Sequence, residues 1–336
     1  MRPFGLMTLL ALCAAAPALA APAAAAPPPS PTAGSQVDHA LLWGRRIDEA
    51  SDILGAKLGF QVRPGRDPGG VANRFIRFED GSYIEVLGLA PGAQLDPGMQ
   101  ADQDKLHGAA GSRSLGLRAP RLDALRDSLL AKGAGVTPIF EASPNDPDGL
   151  GPGKPPRWRL FAIDKPRLSS TLFFIDYAPP RADPASTADR KAAQVHPNGT
   201  RKLSQFWLLS ADPDADRAAL AEMGYGAASP VRLPNLAAKG YCVPVGQGAL
   251  LLLAPDGPGL AADALEAGGP QVLGISLEVE DLARARRLVE RGYGEPPAGY
   301  AGPLGESFLA PTRKDLGLVL EFHEPRAAGA AACGAA

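Results

Sequence analysis

Alternation of apolar and polar positions marks four stretches of the chain, and each repeats one order of elements. The first opens with "DHALLWG", an apolar strand from His39 to Gly44, and runs into "RRIDEASDILGAKLG", a helical pattern closed by Gly59. "FQV" then starts a second strand. "NRFIRF" and "SYIEVLGL" add two more around "EDGS", whose Asp80-Gly81 is a strong hairpin signal. The predicted unit is strand, helix, strand, strand, strand. It returns at "RSLGLRAPRLDALRDSLLAKGAGV", with "RWRLFAI" and "STLFFIDYA" as its later strands. A third copy starts at "QFWLLSADPDADRAALAEMGYG" and a fourth at "LGISLEVEDLARARRLVERGYG". His39 to Ala50 aligns on Arg113 to Ala124 without a gap, and Gly317 to Glu321 aligns on Gly81 to Glu85.

A four-stranded sheet with one helix leaves one sheet face bare, and two such units together enclose a curved cleft. The pattern therefore predicts an α+β fold of four βαβββ modules in two paired domains, residues 37–180 and 201–325. The polar, proline-rich stretch 181–200 reads as the linker and the small-residue stretch 326–336 as a disordered tail.

The N-terminus predicts a different role. Residues 1–20 have an early Arg2, an apolar run too short to span a bilayer, and a small-x-small ending at Ala18-Leu19-Ala20, the form of a secretory signal peptide. Residues 21–36 read as a disordered Ala/Pro tether. The expected location is the bacterial periplasm or outside the cell, with no membrane span after cleavage. A formal net charge of −2 gives no electrostatic reason to expect nucleic acid. After cleavage Cys242 and Cys333 remain. They form no CxxC motif, and the simplest expectation is a buried Cys242 and an exposed tail thiol, with a disulfide between them as the alternative.

Three stretches resemble the glyoxalase-like branch of the vicinal oxygen chelate (glyoxalase/bleomycin resistance/extradiol dioxygenase) superfamily. They are "DHALLWGRRIDEA", then "GGVAN" followed by "RFIRFEDGSYIEVLGL", and "HPNGT" ahead of the third unit. The resemblance implies one divalent metal ion in the cleft of a module pair, held from the first and fourth strands of each module. His39 and Glu85 fall on those positions in the first module. In the second, Arg113 or Ser114 stands at the histidine position and Phe173 or Phe174 at the glutamate position. In the second pair Glu321 matches the glutamate slot, but Gly274 fills the histidine slot and Gln205 is the nearest polar residue in the third unit. If the first module packed on the fourth, His39, Glu85 and Glu321 would converge as a metal site.

The residues themselves leave a second reading open. His39 and Glu85 could simply hydrogen-bond to each other, to Arg113 or to water. Arg113, whose planar fork suits a carboxylate, and Asn73, Trp43, Tyr83 and Phe173 are the candidate ligand-binding residues. Asp67 stands where relatives often carry a histidine. The expected function is a glyoxalase-like protein that binds a small molecule, either as a divalent-metal-dependent lyase, isomerase or oxygenase, or as a metal-free binding or sequestration protein. The sequence assigns no catalytic residue.

Overall fold

The computed structural model of the chain describes residues 30–65, 70–144, 151–166, 168–180, 182–327 and 329–334. The expected signal peptide, most of the tether, and Asp67 lie outside the described residues. Ser30–Gly34 forms turns, and Gln36 already belongs to the first strand.

The first module is β1 (Gln36–Trp43), α1 (Ile47–Asp52), β2 (Arg63–Pro64), β3 (Val71–Arg77) and β4 (Tyr83–Leu89). Helix α1 runs on as a π-helical turn, Ile53–Lys57, and the chain reverses at Gly59, whose φ of +73° favours glycine. Ala50, Ile53 and Leu54 are buried on one side of this helix and meet Ala40 and Leu42 of β1. Burial of each such leucine contributes about 1.5–3 kcal/mol. The second module repeats the plan with β5 (Ser114–Arg118), α3 (Leu122–Ala131), β6 (Gly135–Val136), β7 (Phe140–Glu141), β8 (Trp158–Lys165) and β9 (Thr171–Tyr177).

The two modules join edge to edge. β1 runs antiparallel to β5 and parallel to β4, giving a continuous sheet in the order β2-β3-β4-β1-β5-β9-β8-β6, with β7 on β8. The second pair builds the same sheet from β10 (Thr200–Leu209), α5 (Pro213–Met223), β11 (Ser229–Leu233), β12 (Ala238–Val245) and β13 (Gly248–Pro255), followed by β14 (Gln271–Val279), α7 (Leu282–Tyr293), β15 (Gly299–Gly302), β16 (Gly305–Ala310) and β17 (Val319–His323). Its order is β11-β12-β13-β10-β14-β17-β16-β15. The first module thus pairs with the second, and the fourth with the third.

The helix-bearing faces of both sheets share one core. Leu54, Leu125, Phe174, Leu220, Leu250 and Phe322 belong to a single buried cluster, in which Phe60 stacks on Phe322 at 5.9 Å and Phe174 on Tyr225 at 6.4 Å. The opposite, inner faces carry separate apolar clusters. Each receives a helix from the connection between its modules, α2 (Pro97–Leu106) in the first and α6 (Leu260–Gly268) in the second.

Two segments differ from their sequence-based description. The linker contains α4 (Pro184–Ala193) and is anchored by His196, whose Nδ1 accepts from the Gln61 amide at 3.0 Å while Nε2 donates to the Arg77 carbonyl at 2.9 Å. The tail is held rather than loose: Cys242 and Cys333 form a disulfide, and Ala332 and Cys333 pack on the inner face of the second sheet. The expectation of a free tail thiol therefore fails. Small residues let the tail's main chain approach the sheet closely enough to bring the two sulfurs together.

Candidate functional site

Side chains alternate along a strand, so with Ala40 and Leu42 in the core, His39, Leu41 and Trp43 face the inner side of the first sheet. α2 covers one end of this face. Its Leu106 packs with Trp43, Val71 and Leu87, and the Trp43 indole N–H points at Asp102 of α2 at 3.4 Å. At the other end stands His39.

Asp38 should point to the opposite face from His39, but the β1–β5 register shifts between Val37 and His39. This bulge leaves Asp38 fully buried with Oδ2 at 2.8 Å from His39 Nδ1. The Tyr177 hydroxyl donates to the same oxygen at 2.6 Å, and Arg118 donates to Oδ1 at 3.1 Å. Tyr83 and Tyr177 hydroxyls lie 3.2 Å apart; with the Tyr177 proton on Asp38, the Tyr83 hydroxyl donates to Tyr177. Burial holds both phenols well above their usual range, with neighbouring negative charge adding to the effect. Both therefore act as neutral donors.

An aspartate that accepts from an arginine and a phenol acts as an acceptor toward the ring as well, so Nδ1 carries the imidazole proton. Nε2 then points at Glu85, with Oε2 at 3.8 Å, too long for a hydrogen bond. Asn73 donates to the other oxygen of Glu85 at 3.2 Å. The ring itself is clamped: Tyr83 stacks on it at 4.2 Å and Phe173 meets it edge-on at 5.0 Å. Gly116, opposite His39 in the sheet, makes this possible, because a Cβ there would stand 2.7 Å from Phe173 and 3.0 Å from His39.

His39, Glu85, Asn73, Tyr83 and Phe173 thus gather as predicted. Trp43 lies on the same face but under α2, away from the His39–Glu85 edge. Arg113 is elsewhere: its guanidinium donates to the Pro270 carbonyl at 2.5 Å and the Lys105 carbonyl at 3.0 Å, tying the second domain to the end of α2. Arg113 sits just before β5, where Ser112 already bridges to Val272 of the second sheet, so its side chain follows that contact rather than the cleft. Glu321 lies in the other sheet, with Tyr300 donating to it, so the His39–Glu85–Glu321 set is not assembled. Burial raises the Glu321 carboxyl above its usual range despite bonds from Ser276, Tyr300 and Ser307.

Asp38, Tyr177, Arg118 and Gly116 were not among the predicted site residues. The pair "DH" in "VDHALLW" was visible, but strand alternation places its members on opposite faces unless a bulge intervenes.

The register tests the implied metal centre. His39 pairs with Tyr83, and Glu85 lies opposite Leu41; the matching positions of the second module are Ser114 and Phe173. Ser114 is taken up by Asp102 at 2.8 Å, and Phe173 offers no donor atom. Among the described residues, no three His, Cys, Asp or Glu side chains gather to hold a metal ion. Two donors, one already bonded to Asn73, do not fit a resident catalytic metal.

Solved structures share the fold, among them the following three. A mutant of 4-hydroxymandelate synthase from Streptomyces coelicolor superposes with a TM-score of 0.61 at 14% identity, covering 89% of this chain and 95% of that one. A hypothetical protein from Staphylococcus aureus gives 0.52 at 10% identity, covering 87% and 100%. 2,2',3-Trihydroxybiphenyl 1,2-dioxygenase from the dibenzofuran-degrading Sphingomonas wittichii strain RW1 gives 0.53 at 16% identity, covering 87% and 90%. No curated protein matches by sequence. The model of the glyoxalase-like domain matches residues 37–224, which span the whole first module pair, including the His39 site, and the start of the second pair; the chain belongs to the glyoxalase-like domain family.

Proposed function

We propose that the first domain binds a compact, oxygen-bearing aromatic molecule at the His39–Glu85 end of its inner face and that this site works without a resident metal ion. The observation that carries this reading is the orientation of His39: Asp38 holds Nδ1, which leaves Nε2 facing Glu85 with no hydrogen-bond partner among the described residues. A ligand hydroxyl or carbonyl placed there meets an acceptor nitrogen, a carboxylate and the Asn73 amide, beside the aromatic edge of Phe173. The same pair can take up and return one proton, the requirement of an isomerase or lyase acting next to a carbonyl. An aromatic ligand is supported by these ring walls and by the fold shared with two enzymes named for hydroxylated aromatic compounds.

Calorimetric titration with catechol and with 4-hydroxymandelate tests the ligand class, alongside metal analysis of protein purified without a histidine tag. Binding of at least one probe, weakened tenfold or more in Glu85→Gln and His39→Gln, is the expected result. Failure of both probes sinks the ligand class. Stoichiometric divalent metal that disappears in His39→Ala sinks the metal-free reading.

The protein is also read as exported. The N-terminal pattern supports this, as does the Cys242–Cys333 disulfide, because such bonds persist in oxidising compartments. A mature chain beginning at Ala21 in the periplasmic fraction is expected; an unprocessed cytosolic chain overturns it.

A further inference from the structure

The second domain has a counterpart of the His39 site. Gln205 of β10 pairs with Ala249 of β13 and Ser276 of β14, as His39 pairs with Tyr83 of β4 and Gly116 of β5. Gln205 is almost fully buried, and its amide donates at 3.0 Å to the carbonyl of Ala332 in the C-terminal tail. Trp207 beside it is fully buried and donates from its indole to Ser276 at 2.9 Å. α6 covers one end of this face, as α2 does in the first domain. The end that holds His39 and Glu85 in the first domain is packed here by the tail.

The tail fits this place closely. Gly334 has a φ of +78°, and a Cβ there would lie 1.8 Å from the Pro303 carbonyl oxygen, so only glycine passes. Cys333 is bonded to Cys242, which is buried against the same apolar cluster as Trp207 and Leu251. A main-chain carbonyl on a buried amide, flanked by an indole and closed by a covalent bond, is the arrangement of a bound ligand.

We propose that the inner face of the second domain is a binding site for small neutral amides, including short peptide segments, and that the chain's own tail occupies it under the Cys242–Cys333 latch. A dithiol opens the latch. Its thiolate attacks the half-buried Cys333 sulfur and releases Cys242; its second thiol then displaces Cys333. The dithiol leaves as a disulfide, and its two protons and two electrons pass to the protein as two thiols.

Acrylamide, a neutral amide that quenches tryptophan emission, reads the state of this site. The Trp207 component is obtained by difference from Trp207→Phe, in the oxidised protein and after dithiothreitol. Little quenching is expected in the oxidised form and a several-fold rise after reduction, matched by oxidised-buffer measurements on Cys333→Ser. A synthetic tail peptide, GAAASGAA, at millimolar concentration is expected to restore the shielding. Trp207 that stays shielded in both released forms overturns the proposal, as does shielding that the peptide fails to restore. Equal uncovering of Trp43 also overturns it, because that marks general loosening. Gln205→Leu keeps the latch and removes the carbonyl's donor, so dithiothreitol is expected to reduce its disulfide faster than that of the wild type. An unchanged rate means that the tail is not seated on Gln205.

Discussion

Replacing Asp38 by alanine removes the acceptor around which the first site is built. The His39 Nδ1 proton and the Tyr177 hydroxyl both lose their partner at Oδ2. An orphaned buried donor costs about 1–3 kcal/mol, and the lower half of that range applies to Tyr177, which is only half-buried. The Arg118 side chain is 33% exposed and can rehydrate, so its lost ion pair counts at the surface value of about 0–1 kcal/mol. The sum is centred on about 4 kcal/mol, or about 6 °C in the midpoint of thermal unfolding for a chain of this size. Asp38→Asn keeps one oxygen for Tyr177 and His39 but turns an amide N–H toward Arg118, so about half that loss is expected. Scanning calorimetry gives the stability. Long-range ¹H–¹⁵N spectra of the imidazole give the tautomer, expected to be Nδ1–H in the wild type and mixed in Asp38→Ala. A loss below about 1 kcal/mol, within reach of an ordinary surface change, would show that the bulge does not organise the site. An Nε2–H tautomer in the wild type would refute the proposed orientation directly.

Gly116→Ala is expected to cost about 1–3 kcal/mol by overpacking and to weaken any ligand of the first site, because the new methyl group would press Phe173 onto His39; unchanged binding and stability would show that the ring contact is slack. In the second domain, burial holds His323 at a pKa of about 4, between the Ser204 hydroxyl and the Glu324 carbonyl. The unfolded chain binds its proton more readily, so stability rises with pH from about 4 to the usual histidine value, and His323→Gln is expected to flatten that rise in calorimetric scans. Glu321, raised by burial, has the opposite sign: its contribution is complete below the usual carboxylate range and falls as pH climbs through its folded value, a decline that Glu321→Gln should remove. Cys333→Ser is expected to lower stability by about 2–4 kcal/mol, since the bond closes a loop of 91 residues in the unfolded chain; a change under about 0.5 kcal/mol in denaturant midpoints would contradict this.

Much of the fold was legible because each module writes its own pattern locally. Strand alternation, glycine stops such as Gly59 and the Asp80-Gly81 turn depend only on neighbours along the chain. Which modules pair depends on edge contacts between β1 and β5, more than seventy residues apart, and strand pattern carries no such information. The connecting helices escaped notice although Asp96-Pro97 and Asp183-Pro184 announce them. In each, the aspartate accepts from the amide three residues on, and the proline occupies a position that needs no donor. Within the site, His39 and Glu85 were legible through the family resemblance, Tyr83 and Phe173 through aromatics at alternate strand positions, and Asn73 as an amide in "GGVAN". Asp38 was not, because a one-residue bulge reverses the face a side chain takes. Arg113 was misplaced because an arginine at a strand's mouth reaches as easily to a neighbouring domain as into the cleft.

The two inner faces divide the work of the duplication in a way that their chemistry explains. Position for position, Glu85 of the first module corresponds to Leu251 of the third, each lying opposite the second residue after the histidine slot. A carboxylate there, bonded by Asn73, places a polar group beside His39 on the first face. A leucine there merges with Trp207 and Val319 into a continuous apolar surface. Apolar surface left in water costs about 25 cal/mol per Å², so leaving this surface uncovered would be a standing penalty and an aggregation risk. The tail removes that surface with Ala332 and Cys333 while giving Gln205 its partner. The second face still carries a carboxylate, Glu321, but it is buried and bonded by Ser276, Tyr300 and Ser307, so the polar groups of this face are paired within it while the tail covers its apolar ones.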